Sequence, residues 1–489
     1  MKQERKSDFC FGEVKMNRKA ILGAAVLPHP PLAVGKVAVD KKEIIKKTIA
    51  SFHSLAKEIE RFAPQTIVLI SPHTNLYADY FHLGSYNEGE KIAWGDFSRF
   101  GDAESRVEVG FDEPFIDALA ELCQREDFPC GKLGKKTSFL DHGITVPLYF
   151  VQKQYSDFQL VQVGLSGLGL AEHYALGMKI AEVAEKLERK TYIIASGDLS
   201  HKLLADGPYG YAAEGPEYDE RIMAVLERAA FGEMLDFDEA FLERAAECGH
   251  RSFCIMAGAF DGLKVDAKKL SYEGPFGVGY GAALFTPKEK DTARHFLEAF
   301  REKEAKKLTE RRKNEDPYVQ LARASIEHFV NFGKVLELDA KLKEKIVLEK
   351  EAYTKKAGCF VSLKKNGQLR GCIGTISPTQ ENIAEEIIAN AISSASRDGR
   401  FEPVRVDELS SLVYSVDILS ESEAIASEKE LDVKRYGVIV SAGHKRGLLL
   451  PNLEGVDSID MQVSIAKQKA GILPHEKVSL ERFEVLRYE

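Results

Sequence analysis

The sequence predicts an α/β domain with a mostly parallel sheet covered by helices, followed by a smaller α+β domain. Three observations predict it. Apolar, β-rich runs alternate with amphipathic helical periodicity over the first 287 residues, the pattern of parallel strands buried on both faces. The stretch from Arg301 to Asp316, REKEAKKLTERRKNED, is charged at 12 of 16 positions and has one Leu as its only large apolar residue. Beyond it, helices and short strands follow in a different order, with a hairpin signal that implies antiparallel pairing.

Taken in order, AILGAAVL reads as a first strand and EIIKKTIASFHSLAKEIERF as an amphipathic helix. TIVLIS, FQLVQVGL and TYIIAS read as further buried strands, with AEHYALGMKIAEVAEKLE as a helix between the last two. The basic start ahead of AILGAAVLP has the outline of a signal peptide. Asp8 and Glu13 interrupt it, however, and Pro28, His29, Pro30 and Pro31 stand where small residues would be needed for cleavage. The charged stretch cannot bury a face, so it is either a solvated helix or a flexible connector, and the domain boundary is placed there. In the second domain, GCFVSLKKNGQLRGCIG gives two strands around an Asn366-Gly367 turn, Gln380 to Ser396 a helix, and LVYSVDIL and GVIVSAG further strands.

Composition limits the function classes. A chain of 489 residues with 44% hydrophobic and 29% charged residues is expected to be globular, with two or three cores. The net charge of -9 offers no long-range attraction for phosphate backbones, so nucleic acid is not an expected partner. No apolar run reaches the roughly 18 residues that span a bilayer. Seven scattered cysteines without a CxxC pair indicate a reducing cytoplasm rather than a disulfide framework.

The chemistry is carried by histidines. AAVLPHPP, TIVLISPH and TYIIASGDLSH each place one, His29, His73 and His201, within a few residues of a strand's C-terminal end. In a parallel sheet these ends open on one edge, where α/β proteins bind their ligands. A single histidine in such a place is most often a capping or surface residue; three should converge. Two imidazoles with one carboxylate hold a divalent metal and leave positions free for substrate and oxygen. The best local context for the carboxylate is Glu247, in RAAECGHRSFCIMAGAF, ahead of a small, apolar helix start. Glu247 could equally complement that helix's dipole, and Cys248 is a competing ligand. His53, His82, His173 and His295 receive no role, and Tyr280 with its neighbouring glycines reads as strand packing.

LPHPP, SPH, LDHGITVPL, SGDLSH and ECGHRS, in that order, resemble the motifs of the class III extradiol dioxygenases of the LigB type and of their Memo-like relatives. The resemblance spans about residues 18 to 287 and leaves 288 to 316 as linker. It implies ferrous iron held by His29, His73 and Glu247, an acid/base role for His201, and a substrate-facing position for His142. Memo-like members carry a cysteine where the dioxygenases have the glutamate, and Cys248 leaves that alignment open by one residue; oxygenase chemistry is lost in that branch. The implied reaction takes a catecholic or related aromatic substrate and dioxygen at the iron, with His201 accepting and returning a proton. Asp198 either orients His201 or is a turn residue. Two other readings use the same pocket: an adaptor that binds iron or copper without turnover, and a zinc hydrolase.

In the second domain, LRGCIGT places Cys372 between Gly371 and Gly374, and Arg370, Arg397 and Arg400 could form an anion-binding edge or lower the thiol's pKa. Simple strand packing is the competing reading of Cys372. LRGCIG, SRDGRF and GLLLP resemble the AMMECR family over about 317 to 489, a resemblance that implies a fold and no reaction; His444 adds a polar group nearby. A chain joining both modules resembles the AmmeMemoRadiSam system proteins, which implies a radical S-adenosylmethionine enzyme as partner. That enzyme would be a separate chain, because CxxxCxxC is absent here. Homo-oligomerisation is left open.

Overall fold

The computed structural model describes residues 19–365, 367–453 and 455–489. Cys10, the acidic residues 8 and 13, and Asn366 of the expected turn lie outside the described residues. The chain divides into two compact units between Arg301 and Glu302.

The first unit runs β1 (Ile21–Leu27), α1 (Lys46–Phe62), β2 (Thr66–Ser71), β3 (Phe81–His82), β4 (Ala93–Phe97), β5 (Asp102–Val109), α2 (Glu113–Arg125), β6 (Cys130–Gly131), α3 (His142–Val151), β7 (Gln159–Gly164), α4 (Leu170–Lys186), β8 (Thr191–Ser196), α5 (Glu214–Arg228), α6 (Glu239–Ala245), α7 (His250–Gly258), β9 (Leu263–Glu273) and β10 (Tyr280–Lys290). Six of these strands form one sheet in the order β7-β2-β8-β1-β10-β9. The first four are parallel, as expected from their continuous apolar runs. β10 and β9 add an antiparallel pair at one edge, so the sheet is mixed. Every residue of β2 and β8 is buried, which is why neither strand shows a polar alternation in sequence. The sheet leaves the C-terminal ends of β1, β2 and β8 side by side, and each continues into a histidine-bearing loop.

β10 extends to Lys290, three residues beyond the expected end of the domain. Most of the predicted charged connector is helical, within α8 (Phe296–Lys313), and the unit boundary falls inside that helix. Its i,i+3 pairs Lys307–Glu304 (2.7 Å) and Lys313–Glu310 (3.5 Å) are exposed, which fits a solvated helix.

The second unit continues with α9 (Pro317–Phe332), α10 (Ala340–Lys345), β11 (Cys359–Lys365), β12 (Gln368–Gly374), α11 (Ile383–Ser396), β13 (Leu412–Leu419), β14 (Glu423–Ile425), β15 (Gly437–Ala442), β16 (Lys445–Leu449), α12 (Ile459–Lys469), β17 (Ser479–Phe483) and β18 (Val485–Tyr488). Its two four-stranded sheets, β12-β11-β13-β18 and β14-β17-β15-β16, are antiparallel throughout. This is the expected α+β architecture. Gly367, in the expected β11–β12 turn, has φ +80°, the left-handed backbone for which glycine is suited.

Candidate metal centre

His29 follows β1 by two residues and His73 follows β2 by two. Their rings meet edge to face, with centroids 4.7 Å apart and planes at 79°, and their Nε2 atoms are 2.9 Å apart. Ser196, the last residue of β8, fixes the His29 ring through Nδ1 at 2.9 Å. With Nδ1–H donating to Ser196 Oγ, the Nε2 lone pair faces His73 and is free for an ion.

The third donor reaches the site because of two glycines. A Cβ on Gly197 would lie 2.1 Å from the Gly249 Cα, so the loop after β8 and the start of α7 touch backbone to backbone. That contact places Cys248 beside Asp198: the Cys248 amide donates to Asp198 O (3.3 Å) and the Asp198 amide donates to Cys248 Sγ (3.2 Å). Cys248 Sγ is 3.7 Å from His29 Nε2. His29, His73 and Cys248 each offer a ligand atom within 4.8 Å of the others.

The expected carboxylate is elsewhere. Glu247 turns to the N-terminus of α7 and accepts a hydrogen bond from the His250 amide at 2.6 Å, the helix-capping role that competed with ligation in the sequence. Desolvation pushes its carboxyl up to about 7. In this geometry Cys248 takes the position expected of Glu247, because the Gly197–Gly249 contact fixes which of the two adjacent side chains faces the histidines.

The spacings are close to those around an ion. At a tetrahedral angle, with metal–ligand lengths of about 2.1 Å to nitrogen and about 2.3 Å to sulfur, two nitrogens lie roughly 3.4 Å apart and a nitrogen–sulfur pair roughly 3.6 Å. The observed 3.7 Å matches, while the 2.9 Å between the two imidazole nitrogens is tighter, at direct hydrogen-bond distance, so the rings would part slightly around an ion. Protonation agrees: desolvation, then the nearby His73 and His201, hold His29 well below the usual imidazole range, and desolvation also lowers His73. Both are therefore neutral. Desolvation and the neighbouring Asp198 and Glu247 push the Cys248 thiol well up, so the thiolate needs a cation beside it and binding should release its proton.

His142 is the first residue of α3, stacked 4.2 Å from His73 and edge-on 5.2 Å from His29. Asp141 places it: its Oδ1 accepts from Ser71 Oγ (2.7 Å) and from the Gly143 amide (2.8 Å), joining the end of β2 to the start of α3. Burial, then the two neighbouring imidazoles, push His142 down to about 3, so it is neutral. The Nδ1 of His201 lies 2.6 Å from Ala246 O, which leaves its Nε2 able to accept a proton. Asp198 does not hold that Nδ1. Its Oδ1 accepts from the His29 amide (2.9 Å), its Oδ2 lies 3.9 Å from His29 Nε2, and desolvation pushes it up to about 6. Ser196 and Asp141 had no place in the sequence reading; Asp141, an aspartate one residue ahead of an apolar helical run, carried an N-cap signal that was there to be used. His173 is buried on backbone partners, and His250 between Met234 O and the Tyr218 hydroxyl, consistent with structural roles.

In the second unit the arginines do not form one open anion-binding edge. Arg370 pairs with Glu408 through two bonds of 3.0 and 2.8 Å, and Arg400 with Asp398 at 2.8 and 2.6 Å. Their charge is matched internally, for the same reason that half-covered guanidiniums find carboxylates elsewhere. Cys372 donates its amide to Asp398 (2.8 Å), and its sulfur accepts from Ser362 Oγ (3.2 Å). Arg397 is apart from this group, on an open groove of about 560 Å³ also lined by Val335, Leu338, Glu385, Ile388 and Ile392.

Comparison with known proteins follows the same division. The family model described as the catalytic LigB subunit of aromatic ring-opening dioxygenase matches residues 23–283, and the AMMECR1 model matches 319–489. Protein CA_C1420 of Clostridium acetobutylicum is 39% identical over 475 residues, covering 96% of this chain and 99% of that protein. A Thermotoga maritima protein is 50% identical over 177 residues, 36% of this chain and 98% of its own. Among solved structures, the uncharacterized protein PH0010 of Pyrococcus horikoshii is 31% identical over 35% of this chain and 88% of its own, with a TM-score of 0.32. The Escherichia coli K12 protein JW3007 is 18% identical over 54% of this chain and 99% of its own, with a TM-score of 0.37.

Proposed function

Because the chain belongs to the LigB family, with an AMMECR1 domain at its C-terminal end, we propose that its N-terminal domain is a metal-dependent oxidoreductase of the extradiol dioxygenase type. Its substrate would be a catecholic or related aromatic compound, with dioxygen as co-substrate. The observation that carries this reading is the meeting of His29 Nε2, His73 Nε2 and Cys248 Sγ at the ends of β1 and β2 and the start of α7. Fe(II) is the first choice of metal, with copper and zinc also compatible with these donors. A bound ion would supply Lewis acidity and a template for the substrate oxygens. His201, anchored on Ala246 O, would take the hydroxyl proton on Nε2 and return it later. Neutral His142, stacked on His73, would hydrogen-bond the substrate.

Cys248 favours a second reading. A thiolate is softer than the carboxylate of the ring-opening enzymes and suits copper or zinc as well as iron, as expected of a Memo-like protein that binds metal without turning over a catechol and works with a radical S-adenosylmethionine enzyme. Protein purified without oxygen, assayed for metal and then loaded with Fe(II), Cu or Zn, separates the two. One metal per chain and oxygen uptake with a catechol panel by the iron form is the expected result. Stoichiometric metal without uptake would replace the oxidoreductase by the binding protein, and zinc-dependent ester or amide cleavage would replace both by a hydrolase.

A further inference from the structure

Each of the two imidazoles given a substrate-handling role carries an aromatic ring set edge-on to it and open to solvent. Phe100 lies 5.7 Å from His142, at 64° between planes, and is 41% exposed. Tyr209 lies 5.1 Å from His201, at 87°, and is 60% exposed. We infer that Phe100 and Tyr209 are specificity-determining residues that hold the flat ring of an aromatic substrate at the metal centre, an assignment that rests on the oxidoreductase reading above.

Both rings stand on pinned turns. Phe100 ends the turn between β4 and β5, where Asp96 Oδ1 accepts from the Ser98 amide (3.0 Å) and Ser98 Oγ (2.7 Å), and Gly101 turns the chain with φ +89°. Tyr209 sits in a loop closed by the Leu203–Tyr211 bridge and by the Leu203 amide on Gly277 O (3.1 Å). Large apolar side chains held in fixed positions and left in water gain most from a ligand that covers them, and aromatic pairs add orientation through their quadrupoles. An aliphatic side chain of similar bulk supplies the area without the ring geometry, so it makes the discriminating substitution.

The test uses 4-nitrocatechol and the full chain loaded with redox-silent Zn(II), with binding followed by the ligand's visible absorbance. Phe100→Leu and Tyr209→Leu are each expected to weaken binding about 5- to 10-fold, while Phe100→Tyr and Tyr209→Phe stay within about 2-fold, with metal stoichiometry and thermal midpoint unchanged in all four. Leucine variants that bind like the parent protein, or aromatic replacements as weak as leucine, would overturn the assignment. A parent protein that holds zinc but binds no 4-nitrocatechol would instead remove the aromatic-substrate reading on which it rests.

Discussion

At residues 247 and 248 a carboxylate and a thiol stand side by side, and only one can face His29. The geometry chooses the thiol, 3.7 Å from Nε2, and leaves Glu247 on the His250 amide. Cys248→Ser is therefore expected to lose most bound metal, and Glu247→Gln to keep it, read as metal per chain after dialysis. In Co(II)-substituted protein a thiolate-to-metal absorption band should survive Glu247→Gln and vanish in Cys248→Ser; the opposite pattern would reinstate the glutamate. His29→Ala should abolish binding while His201→Ala leaves the stoichiometry intact, since the His201 ring is held by Ala246 O and is not among the three side chains that converge as candidate ligands. Burial raises Asp219 from 3.8 to about 7, with the Ser200 amide and Tyr272 hydroxyl donating to it. Between those values the folded state keeps a proton that the unfolded chain has lost. Stability therefore falls as pH rises through that window, and the penalty is complete above it. Asp219→Asn should flatten this part of the profile, gaining at most about 4 kcal/mol near neutral pH and nothing near pH 3. Urea unfolding of both proteins across that range reads the difference, and parallel profiles would count against it.

The elements reach their positions by backbone contacts that sequence periodicity does not reveal. α4 and α7 pack so closely that a Cβ on Gly258 would lie 1.9 Å from Tyr174 O and one on Gly177 1.8 Å from Ile255 O. Gly258→Ala has no flexible side chain to push aside, so it should destabilise the first unit by about 2 kcal/mol or more, seen as a lower thermal midpoint. Gly197→Ala strikes the contact that carries Cys248 into the site. It should cost metal affinity in protein that is still folded, as judged by circular dichroism beside a metal titration; unchanged affinity would show that another contact sets the register. The strands themselves were legible: TIVLIS and TYIIAS are apolar without interruption because both faces of β2 and β8 are covered. The antiparallel pairing of β9 and β10 was not legible, since LKVDAKKLSYE carries no signal for its partner's direction.

The whole molecule comprises two units, the first with a core gathered around the six-stranded sheet, the second with a core around α9, α11, β11 and β13 and smaller clusters around β15, β16 and α12 and around Leu419, Ile439 and Phe483. Heating should therefore give two transitions, and saturating metal should raise only the one belonging to residues 19–301, by the linkage of binding to folding. A single transition, or an equal shift in both, would contradict this; differential scanning calorimetry with and without Zn(II) makes the comparison. The sequence by itself determined the two-domain plan, the strands that end in His29, His73 and His201, and the family motifs, because hydrophobic period and short motifs are local properties of the chain. It also grouped Cys372 with Arg370, Arg397 and Arg400, whereas Arg397 lines a separate groove and Glu408 and Asp398 pair with the other two arginines. Tertiary structure alone decided which side chain faces His29 and His73 in the candidate metal centre and which charges are paired internally. The first outcome depends on contacts between residues tens to hundreds of positions apart, where one close approach of two glycines turns a side chain toward the histidines or away from them; the second includes Arg400, whose partner Asp398 is two positions away but is chosen by side-chain conformation.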